Sequence, residues 1–251
     1  MNLLLSVQEI FSTEIESLDK MQDFFWRVML RVPESCPRIA LRAETCMMGM
    51  KHRIWQDKLL LLKRIRAQSQ DTLSRKILEE QRTNKWPGLS VEVSDICEEL
   101  NLPDINNVDI TGGEIKEAVF NHHYLEVKSK IENSKKMMAH KDDNFKEVQP
   151  YMKDKSVENV RLAFRIRSEM VNEIRGNFKD KYRRIGGEEA LICQDCTEGV
   201  TQTQSHCLVC PKWEQFRSDL ELSNMPDLVK YFQRMLLERS KVKTGSNGAA
   251  R

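Results

Sequence analysis

The densest group of reactive side chains in this chain is "CQDCTEGVTQTQSHCLVC", which runs from Cys193 to Cys210. It contains four of the seven cysteines and one of the five histidines. Cys193 and Cys196 have the C-x2-C spacing that lets two thiolates of one turn reach the same ion. Cys207 and Cys210 repeat that spacing, and His206 directly precedes them. Thiolate and imidazole groups are the ligands of structural zinc, so the stretch predicts a zinc site.

Five candidate ligands compete for the four positions of a tetrahedral zinc ion. One possible set is Cys193, Cys196, His206 and Cys210, and the other set has Cys207 in place of His206. Four protein ligands leave no position for water, so we expect the zinc to be structural rather than catalytic. The loop "TEGVTQTQS" between the pairs is polar and cannot build a core, which is typical of a turn held by a metal.

Other residues with metal-binding or reactive groups have simpler interpretations. His122 and His123 are neighbours in a polar helix and are predicted to be solvated. Asp142 and Asp143 follow a lysine in a charged segment, so we expect a solvated turn. The other cysteines fall on separate predicted elements and are expected to be core or surface thiols: Cys36, Cys46 and Cys97.

The composition predicts a mainly α-helical fold. Gly and Pro are scarce, at 10 and 7 residues, and alternating strand patterns are almost absent. We expect a compact helical domain over residues 1–102 and a charged helical connector over 103–156. A basic helix, the zinc module and a C-terminal helix should follow over 157–240, with a disordered tail over 241–251.

The predicted basic helix runs from about Val157 to Gly176. Arg161, Arg165 and Arg175 project within about 80° of one another on one side of it. Between Arg161 and Arg184, eight Lys/Arg stand against three Asp/Glu, a local net charge of +5. The apolar stripe of this helix recurs in i, i+4 steps and consists of Leu162, Ile166, Met170 and Ile174.

The composition also restricts the cellular setting. No stretch approaches the roughly 20 apolar residues that span a bilayer, and the N-terminus lacks the basic region of a signal peptide. We therefore expect no membrane partner and an intracellular location, nuclear or cytoplasmic. In that reducing setting, closely spaced cysteines indicate metal ligands rather than disulfides. The overall net charge of +2 does not by itself indicate a partner.

Two stretches resemble a known family in order and spacing. "LDKMQDFFWRVMLRVPESCPRIALRAETCMMGMKHRIWQDKLLLLKRI" resembles the segment after the catalytic core of reverse transcriptases of LINE-type (non-LTR) retrotransposons. "RLAFRIRSEM", "NFKDKY", "CQDC" and "SHCLVCP" resemble the basic helix and C-terminal zinc knuckle of the same polyproteins. The resemblance covers about residues 12–240. The family's knuckle is C-x2-C…H-x(about 4)-C, which favours His206 over Cys207, although the last interval here is H-x3-C.

The resemblance implies a helical thumb-like region that binds RNA or DNA through phosphate contacts. Phe178 and Tyr182 would stack on unpaired bases. The basic surface would come from Arg161, Arg165, Arg167, Arg175, Lys179, Lys181, Arg183 and Arg184.

The sequence lacks the aromatic-x-Asp-Asp element with which this family's palm holds two metal ions. We therefore expect a non-catalytic, retrotransposon-derived nucleic-acid-binding fragment without a small-molecule substrate. One alternative is a zinc-stabilised protein-interaction module, and another is a transposon relic with no selected function. The interaction module would bind a protein through the 226–240 helix, with an apolar face formed by Leu228, Phe232, Met235 and Leu236.

Overall fold

The mainly α-helical prediction is confirmed. In the computed structural model, 67% of the chain is helical, and no strand is present in the residues that the model describes. None of the described helices combines the length and apolar character needed to cross a membrane. The predicted turn at Asp142 and Asp143 and the end of the predicted tail, 247–251, lie outside the described residues. The described residues are 2–84, 86, 88–134, 140 and 144–246.

Ten α-helices account for most of these residues. They are α1 (Asn2–Leu30), α2 (Arg38–Thr45), α3 (Met50–Arg66), α4 (Leu73–Asn84), α5 (Leu89–Glu99), α6 (Gly112–Glu132), α7 (Val157–Arg167), α8 (Lys179–Gly186), α9 (Gln204–Val209) and α10 (Met225–Ser246). Short 3-10 segments cover Pro150–Lys153, Arg175–Phe178, Glu189–Leu191 and Pro211–Phe216. Because α10 continues to Ser246, residues 241–246 of the predicted disordered tail are helical.

The chain divides into two compact units, and each is discontinuous in sequence. The first unit consists of Met1–Phe24 and Cys46–Lys146. The second unit consists of Phe25–Thr45 and Glu147–Arg251. These limits differ from the predicted boundaries at 102 and 156, because α2 groups with the C-terminal residues and most of the predicted connector groups with α3 to α5.

In the first unit, α3 packs against α4, α5 and α6. The core contains Leu59 and Leu62 of α3, Val93 of α5, and Ile115 and Val119 of α6, all of them fully buried. α6 begins with a capping box at its first turn, which satisfies backbone N–H groups that have no partner within the helix. The segment expected to be an exposed connector therefore supplies a core helix.

The prediction that His122 and His123 are solvated is wrong. His123 is 4% exposed, and its Nε2 lies 3.1 Å from the carbonyl oxygen of Met47. His122 is partly buried, and its Nδ1 lies 3.1 Å from Nε2 of His52 on α3. Both rings are covered because α6 packs a broad face against the rest of its unit. That face is hard to recognise in the sequence because α6 contains many charged residues.

In the second unit, α7 packs against α10 and supplies buried residues to a shared core. α2 is buried at most of its positions, including an acidic one, Glu44, which is 0% exposed. The Glu44 carboxylate accepts hydrogen bonds from Arg167 Nε at 2.7 Å and from the Tyr151 hydroxyl at 2.8 Å. This group ties α2 to the C-terminal part of the unit.

The basic helix is shorter than predicted, since α7 ends at Arg167 rather than near Gly176. Glu169 adopts a left-handed conformation with φ of 53°, and the Met170 N–H donates to the Arg165 carbonyl at 2.7 Å. This arrangement is a Schellman-type C-terminus, in which an apolar residue after the cap folds back on the helix. Met170 and Ile174 are buried although they follow the end of α7. Apolar side chains therefore continue at helical spacing beyond the helix itself.

Candidate metal centre

A short hairpin positions the first cysteine pair. Ile192 and Thr201 form an antiparallel bridge, and the Cys193 N–H donates to the Val200 carbonyl at 2.8 Å. Gly199 has φ of 67°, a left-handed conformation that favours glycine and lets the chain reverse between the two sides. The backbone of this loop is therefore organised by hydrogen bonds around the first ligands.

Helix α9 positions the second half of the site. The Thr203 hydroxyl caps it by accepting a hydrogen bond from the His206 N–H at 3.0 Å. At its end, the Cys210 N–H donates to the His206 carbonyl at 2.7 Å. His206 and Cys207 are consecutive on this helix, so their side chains point about 100° apart and cannot both face one ion.

Four side chains converge on a common point. The ligand atoms of Cys193, Cys196, His206 and Cys210 all lie within 4.8 Å of one another. Cys196 Sγ lies 3.4 Å from His206 Nε2, close to the roughly 3.6 Å expected for a sulfur and a nitrogen on one tetrahedral zinc ion. This set can hold a metal ion such as zinc, and it is the set that contains His206.

Cys207, the alternative ligand, belongs to the protein core. It is 1% exposed, and its sulfur lies 3.8 Å from a guanidinium nitrogen of Arg239. Burial raises the pKa of the Cys207 thiol to about 11, although the nearby Arg239 acts in the opposite direction. We therefore assign Cys207 to packing.

Two of the converging thiols are also deeply buried. Cys193 is 3% exposed and Cys210 is 0% exposed. Burial raises the pKa of both thiols, that of Cys210 to about 12. Thiols bind zinc as thiolates, so metal binding at this centre releases protons to the solvent.

Neighbouring side chains support the ligands. Glu198 Oε2 lies 4.0 Å from His206 Nδ1, near enough for electrostatic attraction but too far for a hydrogen bond. Arg217 donates to the Cys210 carbonyl at 2.8 Å, and the Tyr231 hydroxyl donates to the Cys207 carbonyl. The centre is thus bonded to its surroundings through backbone as well as side-chain atoms.

The apolar face of α10 packs on this centre. Phe232 and Met235 are 0% exposed and share a core with Trp213 and the ligand cysteines. Leu228 and Leu236 are partly buried against the same core. The apolar side chains that were predicted to bind a protein partner through the 226–240 helix therefore pack inside the second unit.

The arginines on and after α7 make internal contacts. Arg161 donates from Nε to the Met29 carbonyl at 2.8 Å, and Arg167 forms the ion pair with buried Glu44. Arg165 is partly buried, and burial lowers the pKa of its guanidinium. Of the predicted nucleic-acid contacts, these three are placed where they hold the unit together.

Among the predicted nucleic-acid contacts, the exposed cations lie on α8. Lys179, Lys181, Arg183 and Arg184 are all exposed there. Arg183 forms an ion pair with Glu188 at 2.7 Å, but both side chains face water, where such pairs are weak. The predicted stacking residues Phe178 and Tyr182 are half-buried beside them.

Arg175 and Gly176 attach α8 to the metal-binding loop. Arg175 donates to the Ala190 carbonyl at 3.0 Å and to Gln194 Oε1 at 2.6 Å, and its guanidinium carbon lies 5.5 Å from the centre of the Tyr182 ring. The Gly176 N–H donates to the Gln202 carbonyl at 2.8 Å. Arg175 therefore connects α8 to the hairpin.

Replacing Gly176 with alanine is expected to lower the free energy of unfolding of the second unit by about 2 kcal/mol. The added Cβ would lie 2.5 Å from the Gln202 carbonyl oxygen, which belongs to rigid backbone. Urea denaturation checks this value. Gly113→Ala is the control, because the nearest atom to its new Cβ would be 3.7 Å away, and that variant should be at least as stable as the wild type.

Comparison with known proteins gave no match to a family model, a curated protein or a solved structure. The resemblance to LINE-type reverse transcriptases therefore remains a prediction that rests on the sequence motifs.

Proposed function

We propose that this chain is a non-catalytic fragment of a LINE-type reverse transcriptase that binds nucleic acid in a reducing, intracellular setting. A structural zinc ion would be held by Cys193, Cys196, His206 and Cys210, and α8 would provide the main contact surface. The observation that carries the proposal is the exposed positive charge of α8, which follows a residue, Arg175, that is hydrogen-bonded to Gln194 in the loop of the Cys3His cluster. Zinc would hold the hairpin in shape, and the hairpin would hold α8.

The mode of binding follows from the exposure of these side chains. Lys179, Lys181 and Arg184 can reach phosphate groups, which bind through charge and without sequence preference. Tyr182 can present part of its ring to an unpaired base, as aromatic residues do in single-strand binding sites. We assign Arg161 and Arg167 to internal support rather than to nucleic acid.

The exposure of α1 also supports the fragment interpretation. Phe24 is 66% exposed and Phe25 is 55% exposed, although both are large and apolar. In a complete polymerase, a thumb packs against a palm, and aromatic residues at that contact would be covered. Exposed apolar side chains of this size are typical of surfaces that bury against another protein segment.

A titration of the full chain with labelled single-stranded RNA tests the proposal directly. With three phosphate contacts, raising the salt from about 50 to about 200 mM should weaken binding by about 20-fold. A zinc chelator should weaken binding further, because α8 would lose its support. No binding by a folded, zinc-loaded chain would refute the proposal, and binding that is insensitive to salt would favour an apolar protein or ligand interface.

The charge-reversal variant Lys179→Glu with Arg184→Glu should identify the surface. Two lost phosphate contacts should reduce the slope of log K against log salt by about 1.4, since each contact on a single strand contributes about 0.7. The matched control is Lys76→Glu with Lys116→Glu, which reverses two exposed cations of the first unit. Equal weakening by both pairs would mean that overall charge, rather than α8, drives binding.

A further inference from the structure

A second group of side chains that could bind a metal lies in the first unit and contains no cysteine. Ligand atoms of His52, His122 and Glu126 lie within 4.8 Å of one another. Two neutral imidazoles and one carboxylate form a ligand set found in proteins that bind zinc or iron with an open coordination position. The sequence prediction had treated His122 as solvated and had not singled out His52 or Glu126.

Two packed helices bring these residues together. His122 and Glu126 are separated by four positions on α6, which places both on one face. His52 lies in the first turn of α3, which packs on α6, and it is 2% exposed. Ligands on packed helices are held by the core rather than by flexible loops, so the three groups are pre-positioned.

The separation of the two rings suits a shared ion. His52 Nε2 lies 3.1 Å from His122 Nδ1, and two imidazole nitrogens on one tetrahedral ion are about 3.3 Å apart. Without an ion, one ring can donate a hydrogen bond to the other through a proton between them. On metal binding that proton would move to a far ring nitrogen or to solvent, leaving a lone pair on each nitrogen that faces the ion.

The group is partly exposed at Glu126 and lies beside an aromatic ring at the two histidines. The Trp55 ring covers one side, with its centre 5.4 Å from that of His52 and 5.6 Å from that of His122. Glu126 also lies 3.7 Å from Lys130 Nζ, but the lysine side chain is 62% exposed and the glutamate 34%. An ion pair so open to water is weak, so the carboxylate can turn to a metal at little cost.

We propose that His52, His122 and Glu126 form a second metal site, which binds a divalent first-row transition-metal ion such as zinc. Three protein ligands leave at least one coordination position for water, unlike the four-ligand cysteine centre. A hydrogen bond between two histidines would explain their proximity, but it would not require a carboxylate at the same point. The proposal does not depend on nucleic-acid binding, since it concerns the other unit.

Cobalt titration of this chain, with its cysteine centre already loaded with zinc, tests this site. We expect one further equivalent of cobalt to bind, with the visible spectrum of nitrogen and oxygen ligands and without a thiolate-to-metal band. Glu126→Gln and His122→Ala should each weaken that equivalent at least about 10-fold. Glu117→Gln, an exposed glutamate of the same helix, should leave it unchanged.

The outcomes are distinguishable even if a variant is unstable. Glutamine has nearly the shape of glutamate, so Glu126→Gln decides the question if His122→Ala fails to fold. Absence of a second equivalent in the wild-type chain would overturn the proposal. A second equivalent that both variants retain would also overturn it, because the ion would then be bound elsewhere on the surface.

Discussion

Removal of the metal from the cysteine centre is expected to unfold the second unit while the first unit stays folded. Cys193 and Cys210 belong to the same core as Trp213 and Phe232 rather than to a peripheral loop. Structural zinc contributes about 10 kcal/mol or more to the folding of small metal-binding domains. Domains have a total stability of about 5–15 kcal/mol, so this loss is comparable with the whole.

Hydrogen exchange with and without a chelator measures this effect. Amide protection should disappear along α7, α9 and α10 of the second unit. It should persist along α3, α5 and α6, whose core contains no ligand of this centre. Unchanged protection in α9 and α10 after complete metal removal would show that the core of the second unit is sufficient without metal.

His206→Ala and Cys207→Ser separate the two possible ligand sets. His206→Ala removes a ligand and should reproduce the effect of the chelator. Cys207→Ser should keep the bound metal and lose about 1–2 kcal/mol, because it only places a hydroxyl in an apolar position. A Cys207→Ser chain that has lost its metal, alongside a His206→Ala chain that retains it, would reverse the ligand assignment.

Glu44→Ala is expected to lower the free energy of unfolding of the second unit by about 3 kcal/mol. The Glu44 side chain is 0% exposed and that of Arg167 is 17% exposed, so their ion pair is largely removed from water. Alanine would remove the carboxylate that accepts hydrogen bonds from the Arg167 guanidinium and from the Tyr151 hydroxyl. The cost is large because the largely buried guanidinium loses an ion pair and cannot replace it with full hydration.

Urea denaturation measures this cost, and two further variants interpret it. Glu34→Ala removes an exposed carboxylate near α2 and should change the stability by less than about 0.5 kcal/mol. Glu44→Leu combined with Arg167→Met should recover most of the loss, since apolar residues of similar size can replace a buried ion pair. If Glu44→Ala were as stable as the wild type, the ion pair would have no structural role.

The helical class and the metal ligands were predictable for different physical reasons. The class follows from residue propensities, which act locally and need no knowledge of the fold. The first ligand pair follows from the C-x2-C spacing of Cys193 and Cys196, whereas the second C-x2-C pair contributes only Cys210. The resemblance favoured His206 over Cys207, and the structure gives a physical reason, since α9 directs only His206 toward the other three ligand atoms.

The remaining features depend on contacts between distant parts of the chain. The spacing of His122 and Glu126 was visible in the sequence, but His52 is separated from His122 by 70 positions and joins them only through packing. The arginines of α7 looked like a free basic face, although their partners are contributed by residues 29 and 44. The end of α7 was missed because a turn continued the apolar spacing.

The bond between Glu44 and Arg167 has a consequence for folding during synthesis, since the two residues are 123 positions apart. During synthesis α2 is made before α7, so the ion pair between Glu44 and Arg167 can form only after α7 has been made. Most of the first unit is made in that interval and can fold from local contacts, while closure of so long a loop is slow. Premature termination before residue 167 would therefore destabilise α2, whose Glu44 lies 123 positions earlier.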